Sequence, residues 1–245
     1  MQLYKGIPSL LTSFNLLCGL FAILFSFREQ FDWAVYAIII AGVMDFFDGF
    51  VARLLKATSA FGRELDSLAD VVTFGVAPAF LMFCFDTTLH DPVYVNDVPQ
   101  TYYGAYAAFL MPVFAALRLA RFNIDRKQKS GFLGVPTPAN AFFFIGLPMV
   151  WMMYPDSIAA VWVSRIYVIP AFCVLFSLLM VLPLPLLALK FPKGYGFKDN
   201  FFRYLLVVVS LVLFLMWQWS SLPLIILAYI IISLLSQLSS SFVKS

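Results

Sequence analysis

The sequence predicts an all-α polytopic membrane protein with about eight transmembrane helices. Of its 245 residues, 62 % are hydrophobic and 12 % are charged, whereas soluble domains carry roughly 45–50 % apolar and about 25 % charged residues. Several uncharged runs reach the ~20 residues that cross a bilayer, and they are longer than the ~10-residue alternating segments of a membrane β-barrel. The small net charge of +3 gives no basic patch for nucleic acid. A soluble domain, a disordered chain and a disulfide scaffold are also excluded.

Each span follows from the positions of the charges. The first span lies between Lys5 and Arg28. Its apolar run is too long for a signal peptide, and no small-residue cleavage site follows it. Two further spans, 32–54 and 65–86, contain carboxylates. Three more are uncharged and lie between Asp97 and Arg118, between Lys129 and Asp156, and between Arg165 and Lys190. The final stretch from Arg203 to Lys244 is twice the length of one crossing and is interrupted at Trp217–Pro223. We expect a helical hairpin there, at about 203–240.

The basic residues predict the orientation. With both termini in the cytoplasm, only Arg28 and Arg165 of the 16 basic residues fall outside, as the positive-inside rule requires. The inner set is Lys5, Arg53, Lys56, Arg63, Arg118, Arg121, Arg126, Lys127, Lys129, Lys190, Lys193, Lys198, Arg203 and Lys244. The lone His90 is expected to be a residue of an outer loop. The three cysteines lie in apolar stretches without C-x-x-C spacing and are interpreted as buried hydrophobic residues.

Four aspartates occur where a membrane helix should be apolar. Each costs about 2.5–3.5 kcal/mol on insertion scales. At 3.6 residues per turn, Asp45 and Asp48 share one face of span two, and Asp66 and Asp70 share one face of span three. Because the connection between the two spans is short, we expect them to be antiparallel neighbours whose acidic faces meet at the cytoplasmic end.

Converging carboxylates repel one another unless some are protonated or a cation lies between them. Oxygen ligands without a His or Cys cluster favour Mg²⁺ or Mn²⁺, and such sites commonly bind substrate phosphates. Gly49, Ala52 and Gly62 leave room for a bulky group, and Arg53, like Lys56 and Arg63, supplies a cation at phosphate depth. Two other interpretations are polar packing between helices and an ion or proton pathway. A pathway would spread its acids over several helices near the midplane.

The string Asp45-x2-Asp48-Gly49-x2-Ala52-Arg53-x8-Gly62-x3-Asp66-x3-Asp70 resembles the signature of the CDP-alcohol phosphotransferases. The resemblance implies a six-helix core over about residues 1–190 of a single transmembrane domain (1–245), extended by the hairpin at 203–240. It also implies two divalent ions, Mg²⁺ or Mn²⁺, and a homodimer.

Within the family, other segments are similar to the membrane-embedded bacterial enzymes that use serine. They are residues 8–19, 66–78, 117–123 and 134–139. The implied reaction transfers the phosphatidyl group of CDP-diacylglycerol to the hydroxyl of L-serine at the cytoplasmic face of the bacterial inner membrane, forming phosphatidylserine and CMP. Glycerol 3-phosphate or inositol as the acceptor stays an alternative, as does a cation or proton transporter.

The resemblance also assigns roles. Asp45, Asp48 and Asp66 are expected to be metal ligands, and Asp70 the general base and a further ligand. Gly49 and Ala52 would let the cytidine nucleotide lie against span two, and Asn15 would add a hydrogen bond. Arg118 and Arg121 would bind the serine carboxylate and the lipid phosphate, since a guanidinium suits both anions. Which arginine meets which anion stays open.

Overall fold

The computed structural model of the chain describes residues 6–124, 132–187, 196 and 200–242, and within them nearly all secondary structure is helical. There are ten α-helices in this part of the chain: α1 (Ile7–Phe27), α2 (Phe31–Leu54), α3 (Ala60–Asp70), α4 (Ala77–His90), α5 (Leu110–Ile124), α6 (Thr137–Met153), α7 (Ile158–Val163), α8 (Val168–Val181), α9 (Phe201–Trp217) and α10 (Leu222–Phe242). A π-helical segment, Val71–Val76, joins α3 to α4, and 3₁₀ turns occupy Gly104–Phe109 and Gln218–Ser221.

Five apolar helical stretches of the described residues are long enough to cross a membrane. They are Ile7–Phe27, Phe31–Leu54, Ala60–His90, Gly104–Ile124 and Phe201–Leu238, with shorter apolar helices at Thr137–Met153 and Val168–Val181. The last long stretch contains both α9 and α10. Leu206 of α9 packs with Tyr229 and Ile232 of α10 in one apolar cluster, which requires the chain to reverse direction between them. The all-α polytopic prediction is confirmed, with the expected C-terminal hairpin.

The helices pack around α1 and a core of phenylalanines. α1 lies along α2 and also packs against α3, the π segment and α4. The largest fully buried side chains include Phe74, Phe85, Phe143, Phe144 and Phe176. Two glycines allow the close approaches at the centre of this bundle. A Cβ on Gly19 would lie 2.7 Å from Oγ1 of Thr73, and one on Gly75 would lie 3.2 Å from Cα of Pro112.

The turn between α2 and α3 has clear local causes. Lys56 adopts a positive φ of 49° just after α2 ends. Ser59 then caps α3, because its Oγ accepts a 2.9 Å hydrogen bond from the backbone N–H of Gly62. The π segment begins directly after Asp70, and such segments are frequent at functional sites. The acidic face of α3 is therefore bounded by a cap at one end and a change of helical register at the other.

Two short pairs of β-strands, one of them a hairpin, lie at the ends of the bundle, although the sequence predicted no strands. β1 (Val93–Val95) pairs with β2 (Val98–Gln100), and Asn96 and Asp97 both take positive φ in the turn. At the end near the acidic residues, β3 (Phe132–Leu133) pairs with β4 (Pro185–Leu186). Gly134 follows β3 with φ +77°, and its N–H donates to the carbonyl of Leu184.

The expectation that His90 belongs to a loop is wrong. It is the last residue of α4, and its ring nitrogens lie 3.0 Å from Oδ1 of Asp86 and 3.0 Å from the carbonyl oxygen of Ser164. This pairing extends the helix by fixing its end to the turn after α7. The three cysteines are buried and free, as predicted.

Parts of the orientation prediction fall outside the described residues. They are the basic residues Lys5, Arg126, Lys127, Lys129, Lys190, Lys193, Lys198 and Lys244. The predicted core boundary at residue 190 also lies in a range that is not described.

Candidate active site

The structure brings the four aspartates of the two acidic helices together. Carboxylate oxygens of Asp45, Asp48 and Asp66 all lie within 4.8 Å of one another. Asp70 lies one turn beyond Asp66, and its carboxyl group interacts with that of Asp45. The helices differ from the expectation in one respect. α3 packs mainly against α1 rather than against α2, so the acidic side chains reach towards each other across an open space.

That space is a cavity of about 180 Å³ with small and basic residues on its walls. It is lined by the start of α1, by the last turns of α2 and by the capped start of α3: Pro8, Ser9, Thr12, Asp48, Gly49, Ala52, Arg53, Ala57, Thr58, Ser59, Gly62, Arg63 and Asp66. A Cβ built on Gly49 meets only Nη1 of Arg53, at 3.8 Å. The predicted residues Gly49, Ala52, Arg53 and Gly62 therefore line one space beside the carboxylates.

Thr12 is a member of the site that the sequence analysis did not single out. It is buried, and its hydroxyl donates a 2.6 Å hydrogen bond to Oδ2 of Asp48 and also approaches the carbonyl of Pro8 at 3.0 Å. Its position three residues before Asn15 places both side chains on one face of α1. That spacing was the available signal. Thr12 fixes the orientation of the Asp48 carboxylate from a neighbouring helix.

Several buried polar atoms around the site lack a hydrogen-bond partner among the described residues. They include Oδ1 of Asp66, Oδ1 of Asp70, and both side-chain amide atoms of Asn15. Asn15 is fully buried, and its backbone carbonyl accepts a bond from the hydroxyl of Thr73 across to the π segment. Buried polar groups are normally paired. Carboxylate oxygens without protein donors are suitable ligands for a hard divalent cation, so the residues present fit a Mg²⁺ or Mn²⁺ site.

The two predicted arginines of α5 lie in different environments. Arg118 is buried, with 9 % of its surface exposed, and the nearest carboxylate charge that acts on its guanidinium is that of Asp70. Its Nε has no partner among the described residues. Arg121 lies one turn further on and is exposed. The structure therefore places Arg118 beside the acidic cluster and Arg121 at the surface.

A model of the CDP-alcohol phosphatidyltransferase family matches residues 5–178, which contain all four aspartates and both arginines. The chain belongs to this family. The resemblance described from the signature residues is confirmed. α9 and α10 lie beyond the matched range.

Curated relatives agree in name. The chain is similar to CDP-diacylglycerol–serine O-phosphatidyltransferases from Bacillus subtilis (37 % identical over 148 residues, 60 % of this chain and 75 % of the relative) and Mycobacterium leprae (40 % over 148 residues, 58 % and 46 %). A relative of that name from Methanocaldococcus jannaschii is 36 % identical over 141 residues, covering 57 % of this chain and 59 % of its own length. The match thus spans three quarters of the Bacillus relative and about half of the other two.

Proposed function

We propose that the chain transfers the phosphatidyl group of CDP-diacylglycerol to the hydroxyl of L-serine, giving phosphatidylserine and CMP. The observation that carries this proposal is the cluster of Asp45, Asp48 and Asp66 beside an open cavity. Its location in a family member whose relatives are named for that reaction supports the choice of substrates. The enzyme is accordingly a transferase of phospholipid synthesis.

Asp45, Asp48 and Asp66 would hold the divalent ions, with Asp70 as a further ligand, and we propose two ions, Mg²⁺ or Mn²⁺. When bound, such ions neutralise the pyrophosphate charge and stabilise the departing CMP. Thr12 keeps the Asp48 carboxylate in place through its 2.6 Å bond. Asn15 presents an amide that is buried and unpaired among the described residues, and it would hydrogen-bond the bound substrate.

The remaining residues bind substrate and move one proton. The cavity beside Gly49, Ala52 and Gly62 would receive the cytidine nucleotide, with Arg53 at its wall close to the phosphates. Asp70 accepts the proton of the serine hydroxyl. The serine oxygen forms a bond to the phosphatidyl phosphorus, and the bond from that phosphorus to the bridging oxygen breaks, so its electron pair leaves with CMP.

We propose that Arg118 binds the substrate anion that lies nearest to Asp70. This anion is either the serine carboxylate or the lipid phosphate. A guanidinium binds either group through two parallel hydrogen bonds. Its buried position beside Asp70 would bring that anion to the base. Arg121, at the surface end of the same helix, would meet the other anion as it enters.

We further propose that the protein lies in the bacterial inner membrane as a homodimer, with both termini and the acidic site at the cytoplasmic face. Arg53 and Arg63 line the cavity, and Lys56 lies in the turn between α2 and α3, as expected for a cytoplasmic surface. The six-helix core, 1–190, would carry the chemistry, and the hairpin at 203–240 would be an addition to it.

The decisive test is an acceptor assay with purified protein in lipid vesicles. Labelled CDP-diacylglycerol is supplied with Mg²⁺ or Mn²⁺ and with L-serine, glycerol 3-phosphate or inositol in turn. Of the three acceptors, we expect only serine to give a lipid product, phosphatidylserine, together with CMP. A lipid product formed with another alcohol would show that serine is the wrong acceptor, while the proposed reaction class would stand. Ion flux across the vesicle membrane without CDP-lipid, and without any lipid product, would favour the transporter alternative.

A further inference from the structure

A hydrogen bond between side chains joins the acidic helix α3 to α5, the helix that carries the two predicted arginines. Asn123, near the end of α5, donates from Nδ2 to Oγ of Ser67 on α3, at 3.0 Å. The Ser67 hydroxyl donates its own proton to the carbonyl of Arg63, 3.1 Å away and one turn earlier in α3. Because a carbonyl oxygen only accepts, the lone pairs of Ser67 are left for the amide, and the two bonds form together.

The position of Ser67 on α3 brings α5 next to Asp70. At about 100° per residue, Asp70 lies about 40° around the helix from Asp66, and Ser67 lies about 60° further in the same sense. The hydroxyl is therefore on the side of Asp70 that is turned away from Asp66, one turn earlier in the helix. Since Asn123 bonds this hydroxyl, α5 lies along the side of α3 that Asp70 borders.

A second close approach fixes how α5 is aligned along this helix. Gly75 belongs to the π segment that continues α3. A Cβ on it would lie 3.1 Å from Cβ of Ala115 and 3.2 Å from Cα of Pro112, both on α5. The chain runs back from Gly75 to Ser67 while α5 runs forward from Ala115 to Asn123. The two stretches are therefore antiparallel, with one contact at each end.

Asp70 and Arg118 both fall between these two contacts. Asp70 lies three residues after Ser67, and Arg118 lies five residues before Asn123. At about 1.5 Å per residue, both are displaced from the hydrogen bond in the same direction, by about 4.5 Å and about 7.5 Å. Their levels along the helix pair differ by about 3 Å, which is less than one helical turn of about 5.4 Å. The two contacts thus place Arg118 near the level of the proposed base.

We propose that Ser67 and Asn123 are positioning residues, whose hydrogen bond keeps the arginine-bearing end of α5 aligned with Asp70. Without this bond, the last turns of α5 would be held against α3 only through the contact at Gly75. The inference rests on the proposed function in one respect, namely that an arginine of α5 binds a substrate anion beside the base. It gives two uncharged residues a part in the alignment of the substrates.

The test is a kinetic double-mutant cycle on the full-length protein in vesicles. Ser67→Ala and Asn123→Ala each remove the bond. Each should raise the KM of the substrate whose KM is also raised by Arg118→Lys. The expected rise is about three-fold to ten-fold, the factor that corresponds to one lost hydrogen bond, with little change in kcat because the carboxylates are intact. The double variant should resemble either single variant, since partners in one bond are not additive.

Two control variants separate this bond from a general disturbance of the helices. Ser67→Thr keeps the hydroxyl and should keep both KM values near those of the wild type. Ser13→Ala removes a hydroxyl that, like that of Ser67, donates to the carbonyl four residues earlier, here at Ser9. The Ser13 hydroxyl has no partner on another helix among the described residues. This variant should leave both KM values unchanged.

The outcomes distinguish the inference from the function on which it rests. A raised KM in Arg118→Lys with an unchanged KM in Asn123→Ala would overturn the positioning role alone. Additive effects in the cycle, or the same KM shift in Ser13→Ala, would do the same. Unchanged KM values in Arg118→Lys would contradict the proposed role of that arginine, and the inference with it. If serine fails as acceptor, the proposed acceptor is wrong, while the KM ratios measured with the acceptor that is used still decide the role of Asn123.

Discussion

At the scale of single residues, Asp70 differs from the other three aspartates in its surroundings. Asp45, Asp48 and Asp66 share one set of converging oxygens, whereas Asp70 also interacts with the buried Arg118. A carboxylate beside the proposed metal ligands and the arginine that we propose to bind a substrate anion is well placed to receive a proton from an acceptor hydroxyl. This position, rather than the signature alone, supports its assignment as the base.

Asp70→Asn should therefore remove transfer while the protein still inserts and folds. A general base contributes about 10²–10⁴-fold to a rate, so we expect kcat to fall by at least ~100-fold. The measurement is phosphatidylserine formed per minute by equal amounts of purified protein, with thermal unfolding as the control for folding. Turnover near the wild-type value would contradict the assignment.

Thr12 tests the acidic cluster without altering a carboxylate. Thr12→Val keeps the shape but loses the bond to Asp48, and the loss of such an outer partner weakens metal binding by about 10–100-fold. The Mg²⁺ or Mn²⁺ concentration for half-maximal activity should rise accordingly, with activity recovered at high metal. Ser13→Ala is the matched control, since the exposed Ser13 hydroxyl bonds only its own helix at Ser9. Equal metal dependence in both variants would argue against the role of Thr12.

At the scale of elements, the sequence predicted every long helix and only part of the site. Uncharged runs and the break at Trp217–Pro223 define the spans because a bilayer requires continuous apolar helices. The spacing of the aspartates predicted their shared faces. The signature could not reveal the bond of Thr12 to Asp48, since it depends on how α1 packs against α2, a contact between residues distant in the chain. Likewise, the position of α1 between the acidic helices depends on packing between distant residues, such as Gly19 against Thr73, which no local pattern encodes.

That packing gives a prediction for α1. A Cβ on Gly19 would lie 2.7 Å from the side chain and 3.0 Å from the backbone of Thr73, so Gly19→Val forces α1 away from the π segment. Overpacking of this kind costs about 1–3 kcal/mol, and we expect a lower melting temperature together with reduced activity. Gly6→Ala is the control, because a Cβ there meets nothing within 4 Å. Equal melting temperatures in the two variants would contradict the close approach.

At the scale of the whole molecule, the basic residues and the two ends of the bundle predict its orientation in the membrane. The β1–β2 hairpin follows α4 at the end opposite the acidic cluster, and the α2–α3 turn lies at the cluster's own end. The positive-inside rule assigns that second end to the cytoplasm. The site would then open to the compartment where soluble CMP is released.

Cysteine labelling tests this orientation directly, because the native cysteines are buried. Val98→Cys and Ala60→Cys place a thiol at exposed positions of β2 and of the start of α3. A membrane-impermeant maleimide added to intact bacterial cells should label Val98→Cys and should label Ala60→Cys only after the membrane is opened. The reverse pattern would invert the proposed topology.

The π segment at Val71–Val76 has a consequence for how this helix tolerates changes of length. A π turn bonds residue i to i+5 instead of i+4. The directions in which side chains leave the helix axis are therefore shifted between α3, which carries Asp66 and Asp70, and α4. Removing one residue from 71–76 would convert the wide turn to an ordinary one and leave the acidic face of α3 intact. The same deletion between Asp66 and Asp70 would rotate one carboxylate by about 100°. One-residue deletions among homologous chains should therefore be found in the π segment more often than in α3.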